Sequence, residues 1–244
     1  MSLVATAATA QRVLRQLKHD PRTIGLIVVV PLVLITLLKY SFQHQSAAFN
    51  HIAPIILGIF PMLIMFLVTS IATLRERTSG TLDRLMTMPI SKFDFVFGYA
   101  IAFSIVGLIQ ASVASFVTLG LLGVTVQGGT LPVVLTAVLA AFLGTALGLL
   151  VSAFARNEFQ AVQLVMPIMF PQVLLCGLFA ARADMARLLQ LLSDVFPVTY
   201  SVDAMRLATV QNTWTSTLTK DMLIVLGCGI TALVLGSATI RRKE

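Results

Sequence analysis

The sequence contains very little charge. Only 11% of its 244 residues are Asp, Glu, Lys or Arg, whereas 57% are hydrophobic, and soluble domains carry about 25% charged residues. A chain with so few charges cannot cover a water-facing surface, so we expect a lipid bilayer to surround most of it. The composition excludes an ordinary soluble domain and indicates a series of membrane spans.

The residue patterns of common catalytic sites are also missing. There is no Gly-x-x-x-x-Gly-Lys-Ser/Thr motif and no lysine follows a glycine, so the sequence contains no P-loop. His19, His44 and His51 are scattered and form no metal-binding pattern, and Cys176 and Cys228 lie in apolar runs, where a disulfide framework is not expected. The first 20 residues do not have the pattern of a cleaved signal peptide. We therefore predict a non-catalytic chain that binds no metal.

Six apolar runs are candidates to cross a bilayer, which takes about 20 helical residues. No ionisable residue lies in the central turns of the second to sixth runs, so the usual proton relay of a secondary transporter is absent. The fold class predicted is an all-α polytopic membrane protein, with residues 1–244 forming a single transmembrane domain. The predicted spans are about 24–42, 52–74, 95–126, 131–154, 161–181 and 222–240.

The basic residues predict the orientation. Twelve of the 17 Lys and Arg residues lie in the N-terminal segment, the loop 75–92, the loop at Arg156 and the C-terminal tail. The positive-inside rule places these segments, and so both termini, in the cytoplasm of a multi-pass cell-membrane protein. The net charge of +7 is then mainly a topology signal. Nucleic acid is not an expected partner, because the charges are divided among separate loops.

Two amphipathic segments lie outside the spans. In residues 1–21, Arg12, Arg15 and Lys18 fall on one helical arc and apolar residues on the other, which predicts an elbow helix in the membrane interface or else a solvated basic leader. In the outer segment 182–210, two short helical patterns are separated by Pro197. They predict a helical hairpin that is partly inserted among the spans, or a pair of helices lying flat on the outer surface.

Uncharged polar and small residues recur within the spans. Gln110, Gln163 and Gln172 could form hydrogen bonds between helices or line a substrate pathway. Rows of small residues at a spacing of four predict close helix contacts. They comprise Ala140, Gly144 and Gly148 in the fourth span and Cys228, Ala232 and Gly236 in the sixth.

The most unusual stretch is the polar island 75–89, RERTSGTLDRLMTMP. It combines charges with apolar residues near helical spacing and lies between two spans, which is typical of a short helix that docks on a partner. A solvated turn is the alternative. Ser91 and Asp94, just after it, have the spacing of a helix cap for the third span.

These residues resemble the coupling-helix signature in the membrane subunits of type-2 ATP-binding-cassette (ABC) exporters. That signature is an acidic residue, then Gly-Thr-Leu, a further leucine and a proline. The resemblance continues in the basic elbow helix, the six spans, LLCGLF at 174–179 and FPVTYSVDAMR at 196–206. The coupling residues that it implies, within a coupling helix at 75–90, are Arg75, Glu76, Arg77, Gly80, Thr81, Leu82, Leu85 and Pro89.

The resemblance implies a permease that binds no cofactor itself and works with an ABC ATPase subunit, which holds the ATP and Mg²⁺. It also implies a second permease subunit, identical or homologous, and a hydrophobic or amphiphilic substrate. Further contact residues that it implies are Arg156, Asn157 and Glu158 on the cytoplasmic side and Pro197, Tyr200, Asp203 and Arg206 in the outer re-entrant hairpin. The competing hypothesis is a six-span assembly or regulatory protein without transport activity.

Overall fold

The computed structural model describes residues 2–80 and 91–239, and within these ranges the chain is helical and contains no β-strand. In chain order the described α-helices are α1 (Leu3–Lys18), α2 (Pro21–Ser41), α3 (Ser46–Thr78), α4 (Lys92–Phe116), α5 (Thr130–Ser152), α6 (Glu158–Leu175), α7 (Arg187–Val195), α8 (Pro197–Val210) and α9 (Ser216–Thr239). α4 continues directly into a π-helical turn at Val117–Leu121, and a 3-10 turn at Arg182–Asp184 precedes α7.

Six of the described helices, α2 to α6 and α9, are long and apolar enough to cross a membrane. The all-α polytopic fold predicted from the sequence is therefore confirmed. α3 has 33 residues and a length of about 50 Å, whereas the hydrocarbon layer is about 30 Å thick. Since α3 is longer than the apolar layer, its last turn, with Arg75, Glu76 and Arg77, can extend into the aqueous boundary.

Two predicted spans are too long. The third, predicted at 95–126, loses helical geometry after the π-helical turn because the chain enters a positive φ of 69° at Gly123. The fifth, predicted at 161–181, ends at the close of α6 because Gly177 has a φ of 90°. Left-handed φ values are incompatible with continuing an α-helix, and glycine adopts them without a steric penalty.

Prolines have different positions in the described helices. Pro167 and Pro171 lie inside α6, which continues through both. Such prolines are tolerated in membrane helices when local adjustments satisfy the freed backbone groups. Pro21 is the first residue of α2, and the side chain of Asp20 caps that helix by accepting a hydrogen bond from the backbone N–H of Thr23.

α5 lies at the centre of the bundle, where it packs against α3, α4, α8 and α9. The most apolar stretch of α5 is 61% buried within the bundle, whereas the corresponding stretches of α2 and α6 are only 17% buried. A Cβ atom on Gly144 would overlap the carbonyl oxygen of Met62, and one on Gly148 would lie 2.5 Å from the carbonyl oxygen of Phe66. The small residues of α5 therefore bring its backbone into contact with α3, as predicted.

The segment predicted as an outer hairpin, α7 and α8, contains one buried helix and one exposed helix. α8 packs against α3, α5, α6 and α9, and Val198, Val202 and Met205 are fully buried. α7 instead exposes leucines such as Leu188 and Leu191. Neither alternative from the sequence describes both helices, because α8 inserts among the spans while α7 lies on the surface of the bundle.

Replacing Gly144 with leucine tests the α3–α5 contact. Because the new side chain would overlap the Met62 backbone, we expect Gly144→Leu to lower the free energy of unfolding by at least about 3 kcal/mol, at the severe end of overpacking. Gly227→Leu is the matched control, since a Cβ on Gly227 has no atom within 4 Å. Thermal unfolding of the purified chain in detergent compares the two. Equal stability of both variants would contradict the described contact.

Candidate functional site

The last turn of α3 is joined to α1 and α4 by a cluster of polar side chains, Arg12, Gln16, Glu76 and Tyr99, which we call the Glu76 cluster. Arg12 Nη1 lies 3.5 Å from Glu76 Oε2, and Gln16 Nε2 donates a hydrogen bond of 3.3 Å to Glu76 Oε1. Arg12 also donates a 2.8 Å hydrogen bond from Nη2 to the Tyr99 hydroxyl. The Glu76 side chain is only 13% exposed, so this carboxylate belongs to the packing between the three helices.

The position of α1 in this cluster is set by Asp94 at the start of α4. Asp94 Oδ1 accepts hydrogen bonds from the backbone N–H of Ser2 at 2.9 Å and from the Thr6 hydroxyl at 3.2 Å. Its other oxygen and Ser91 form a reciprocal capping box at the start of α4. The cap predicted from the sequence is confirmed, and the same carboxylate also ties α1 to α4.

The basic residues predicted for the elbow helix have two different surroundings. Ala10 and Val13 are buried, and α1 packs against α4. Arg12 points towards this contact through Tyr99 and Glu76, whereas Arg15 and Lys18 are exposed. Arg12 thus serves packing within the bundle, and Arg15 and Lys18 remain available to a surface or partner.

A second set of contacts connects the end of α3 with α5 and α6. Arg75 binds the Glu158 carboxylate through two hydrogen bonds, Nε to Oε1 at 2.7 Å and Nη2 to Oε2 at 3.0 Å. Arg77 donates from Nη1 to the backbone carbonyl of Ser152, the last residue of α5. The structure therefore brings the predicted coupling residue Arg75 next to Glu158, which the sequence assigned to a separate contact, and Arg77 next to the end of α5.

The other two residues of that separate contact shape the start of α6. Asn157 caps the helix, with Oδ1 accepting a 2.8 Å hydrogen bond from the backbone N–H of Gln160. The backbone N–H of Arg156 donates to Gln160 Oε1 at 2.8 Å. These bonds fix the turn that presents Glu158 to Arg75.

Gly80 follows α3 in a turn with a φ of 73°. A Cβ at this position would have nothing within 4 Å, so the backbone angle, rather than a lack of space, favours glycine here. The remaining predicted coupling residues lie outside the described residues, as does the rest of the predicted helix. They are Thr81, Leu82, Leu85 and Pro89.

At the opposite end of the bundle, Arg182 links α7 and α8. Its guanidinium donates from Nη1 to Asp203 Oδ2 on α8 at 2.6 Å and from Nη2 to Asp194 Oδ1 on α7. Burial raises the pKa of Asp203, and the charge of Arg182 opposes that rise. A partly buried carboxylate of this kind depends on its basic partner to remain charged.

The other predicted hairpin residues surround this ion pair. Arg206 donates from Nη2 to the Gly177 carbonyl at 2.6 Å, and Tyr200 donates from its hydroxyl to the Asp194 carbonyl at 2.7 Å. Pro197 is the first residue of α8. The structure thus gathers Tyr200, Asp203 and Arg206 around the junction of α6, α7 and α8.

The three glutamines predicted for a pathway do not share one surface. Gln110 on α4 is buried, and neither polar atom of its side chain has a hydrogen-bond partner among the described residues. Gln172 is also buried and donates to the Ile168 carbonyl of its own helix at 2.7 Å. Gln163 is exposed on α6, about half a helical circumference from Gln172 at 100° per residue. The structure does not bring these residues together.

Comparison with known proteins identifies the family. A family model described as ABC-2 type transporter matches residues 5–210. The chain belongs to the ABC-2 type transporter family. The matched range includes all but the first two residues of α1, the Glu76 cluster and both helices of the predicted outer hairpin.

Three relatives of this ABC-2 chain are distant and longer. ABC transporter G family member 20 of Dictyostelium discoideum is 29% identical over 139 residues, which are 57% of this chain and 19% of the relative. Inner membrane transport permease YhhJ of Escherichia coli (strain K12) is 28% identical over 168 residues, 68% of this chain and 44% of that protein. "Probable multidrug ABC transporter permease YbhS" of the same strain is 24% identical over 169 residues, 69% of this chain and 45% of that protein. The chain spans less than half the length of these relatives.

Four residues of the ABC-2 chain's clusters were not among the predicted site residues: Gln16, Tyr99, Arg182 and Asp194. Tyr99 is far from Arg12 in sequence, and its only signal is a hydroxyl at one end of an apolar run. Arg182 and Asp194 have a clearer signal, because the outer segment contains basic and acidic residues in nearly equal number. Such a balance indicates ion pairs without indicating which residues form them.

The Arg182–Asp203 pair is expected to stabilise the chain more than the Arg75–Glu158 pair. Both contacts are short, 2.6 Å and 2.7 Å, but the first pair is 29% and 27% exposed while the second is 59% and 50% exposed. We expect a double-mutant cycle with Arg182→Ala and Asp203→Asn to give a coupling of about 1–3 kcal/mol, and the matched cycle at Arg75 and Glu158 to give less than about 1 kcal/mol. Denaturant unfolding in mixed micelles measures both, and the reverse order would contradict the role of burial.

Proposed function

We propose that this chain is the membrane-spanning permease subunit of an ABC exporter and couples to a separate ABC ATPase through residues 75–90. Family membership over residues 5–210 supports the assignment to a permease. The structural observation that carries the coupling proposal is the network at the end of α3. The segment that we assign to ATPase contact begins in the last turn of α3, where that helix is bonded to its neighbours.

That network explains how a push on the segment could reach the whole bundle. Glu76 connects α3 to α1 through Arg12, and Arg12 in turn bonds Tyr99 on α4. Arg75 and Arg77 connect α3 to the start of α6 and the end of α5. A displacement applied at Gly80 would therefore act on four neighbouring helices together, which suits a rigid-body transition between inward-facing and outward-facing states.

The energy source in this proposal is ATP and Mg²⁺ held by the partner subunit. The 244 residues contain no P-loop motif, so the phosphates would have to be bound elsewhere in the transporter. The permease contributes force transmission and a pathway, and we expect no ATP hydrolysis by the chain alone.

The pathway in this proposal lies between two permease subunits, identical or homologous. The most apolar stretches of α2 and α6 are only 17% buried, and α6 exposes Phe159, Met166 and Phe170. These faces suit lipid on one side and a second permease on the other. A relative named as a multidrug ABC transporter permease supports a hydrophobic or amphiphilic substrate.

Glu76→Gln and Gly80→Val test the coupling role. We expect Glu76→Gln to reduce transport and substrate-stimulated ATP hydrolysis together by about two- to fivefold. Glutamine keeps an oxygen that can accept from Gln16, and the lost charge contact with Arg12, which is 3.5 Å long, is worth roughly 1 kcal/mol. Gly80→Val should reduce both more than about tenfold, because a β-branched residue is strained at the Gly80 φ of 73°.

The assay uses proteoliposomes that contain the permease and its ATPase at equal levels. Gly25→Val is the matched glycine control, because a Cβ on Gly25 has no atom within 4 Å and its φ is ordinary. Asp184→Asn removes an exposed carboxylate at the other end of the bundle. Normal transport by both Glu76→Gln and Gly80→Val in an assembled complex would reject the coupling role.

Single-cysteine labelling tests the proposed orientation in the cell membrane. From the distribution of the basic residues we expect Ser79 in the cytoplasm and Gln45 and Trp214 outside. In a background without Cys176 and Cys228, an impermeant thiol reagent added to intact cells should label Gln45→Cys and Trp214→Cys but not Ser79→Cys. Permeabilised cells provide the control in which Ser79→Cys is labelled. Labelling of Ser79→Cys in intact cells would reverse the topology.

A further inference from the structure

A cavity of about 880 Å³ lies beside the Glu76 cluster, between α1, α2, α3 and α4. Pockets for drug-sized ligands are typically about 300–1,000 Å³ and mostly apolar, with a few polar groups. Here the apolar walls come from side chains such as Leu26 on α2 and Val68 on α3, and Phe103 adds an aromatic ring. The volume and the walls suit the apolar part of an amphiphilic molecule.

The charged groups at this cavity are mainly acidic. Asp20, Glu76 and Glu158 contribute three carboxylates to its lining, whereas Arg75 is its single basic residue among the described residues. Arg75 is held in the two-bond contact with Glu158. Glu76 is paired with Arg12, which lies outside the lining. Among the described lining carboxylates, Asp20 is the one without an ion pair, and it gives the polar end of the cavity a negative charge.

The Glu76 carboxylate has capacity for another donor. Its Oε2 atom is buried and accepts no hydrogen bond from the described residues, and the nearest basic group, Arg12 Nη1, is 3.5 Å away. A buried carboxylate oxygen without a donor is costly, and a cation with or without N–H groups would reduce that cost. Asp20 remains ionised at neutral pH, because hydrogen bonds from Thr23 lower its pKa.

We propose that this cavity binds the nitrogen-centred cation of an amphiphile, with the cation near Asp20 and Glu76 and the apolar body between α2 and α3. The cation is either the ammonium of a lipid headgroup or that of a free lipophilic amine, and both have the chemistry that the cavity recognises. The inference rests on the proposed function only in regarding the ligand as transported cargo. Binding itself requires no ATPase.

The test is direct binding to the full chain in nanodiscs made of phosphatidylglycerol, which has no ammonium group. The probe is a fluorescent amphiphile with a trimethylammonium head, compared with analogues that carry a tert-butyl or a carboxylate head on the same apolar body. We expect the cationic probe to bind at least about tenfold more tightly than the neutral analogue after subtraction of binding to empty nanodiscs. Equal binding of the two would overturn the proposal.

Variants locate the binding site. Asp20→Asn retains a side chain that can cap α2 and should raise the Kd of the cationic probe about fivefold without affecting the neutral analogue. Leu26→Trp, which adds bulk at a lining position, should raise the Kd at least about tenfold, and Val68→Phe should act in the same direction. The matched controls are Leu37→Trp, equally exposed on α2 but away from the cavity, and Asp184→Asn.

The outcomes separate the site, the ligand source and the proposed function. Equal losses in Leu26→Trp and Leu37→Trp would mean membrane partitioning and would overturn the site. If added phosphatidylethanolamine displaces the probe, the natural ligand is a lipid headgroup. If that lipid does not affect binding, the natural ligand is a free lipophilic amine. If the chain binds the cationic probe selectively but exports no substrate together with its ATPase, the binding site stands and the proposed function is rejected.

Discussion

The close contact between α3 and α5 is the constraint on which the rest of the bundle depends. In a bilayer, water does not drive helices together as it does in a soluble core, and association relies on close packing and hydrogen bonds. Gly144 and Gly148 allow the α5 backbone to reach the carbonyl groups of Met62 and Phe66. α5 then serves as the central element against which α4, α8 and α9 also pack.

This packing fixes the position of α3 in the bundle. It places the last turn of α3 beside neighbouring helices with which its charged side chains form contacts. The chain has few charges, and several are concentrated at that turn, where Arg75, Glu76 and Arg77 contact different helices. A second concentration, around Arg182, holds the outer hairpin. Charged side chains thus connect helices at the two ends of the bundle. In the apolar middle, the helices are held together by close packing.

Much of this arrangement could be predicted from the sequence because the bilayer constrains it strongly. Six spans follow from length and hydropathy, and the small-residue row of α5 and the Ser91–Asp94 cap follow from spacing alone. Span ends were less predictable, since the positive φ at Gly123 and Gly177 is a local conformation that hydropathy does not reveal.

The partners of individual side chains could not be predicted in the same way. Tyr99 meets Arg12 only after α1 has packed on α4, and Glu158 meets Arg75 only because α6 starts beside the end of α3. The three glutamines show the same limit, since polarity within a span indicates neither the direction of the side chain nor a shared surface. Pairing between distant helices is a property of their packing, which a single sequence does not specify.

The central claim is that the segment following α3 contacts an ABC ATPase, and site-specific photocrosslinking tests it most directly. A photoreactive amino acid is placed at Ser79, and a second variant carries it at Gln45 at the other end of α3. After illumination of cells, the account predicts that the Ser79 position forms a crosslink to a P-loop ATPase identified by mass spectrometry and that the Gln45 position does not. No ATPase at Ser79, or equal capture at both positions, would contradict the account.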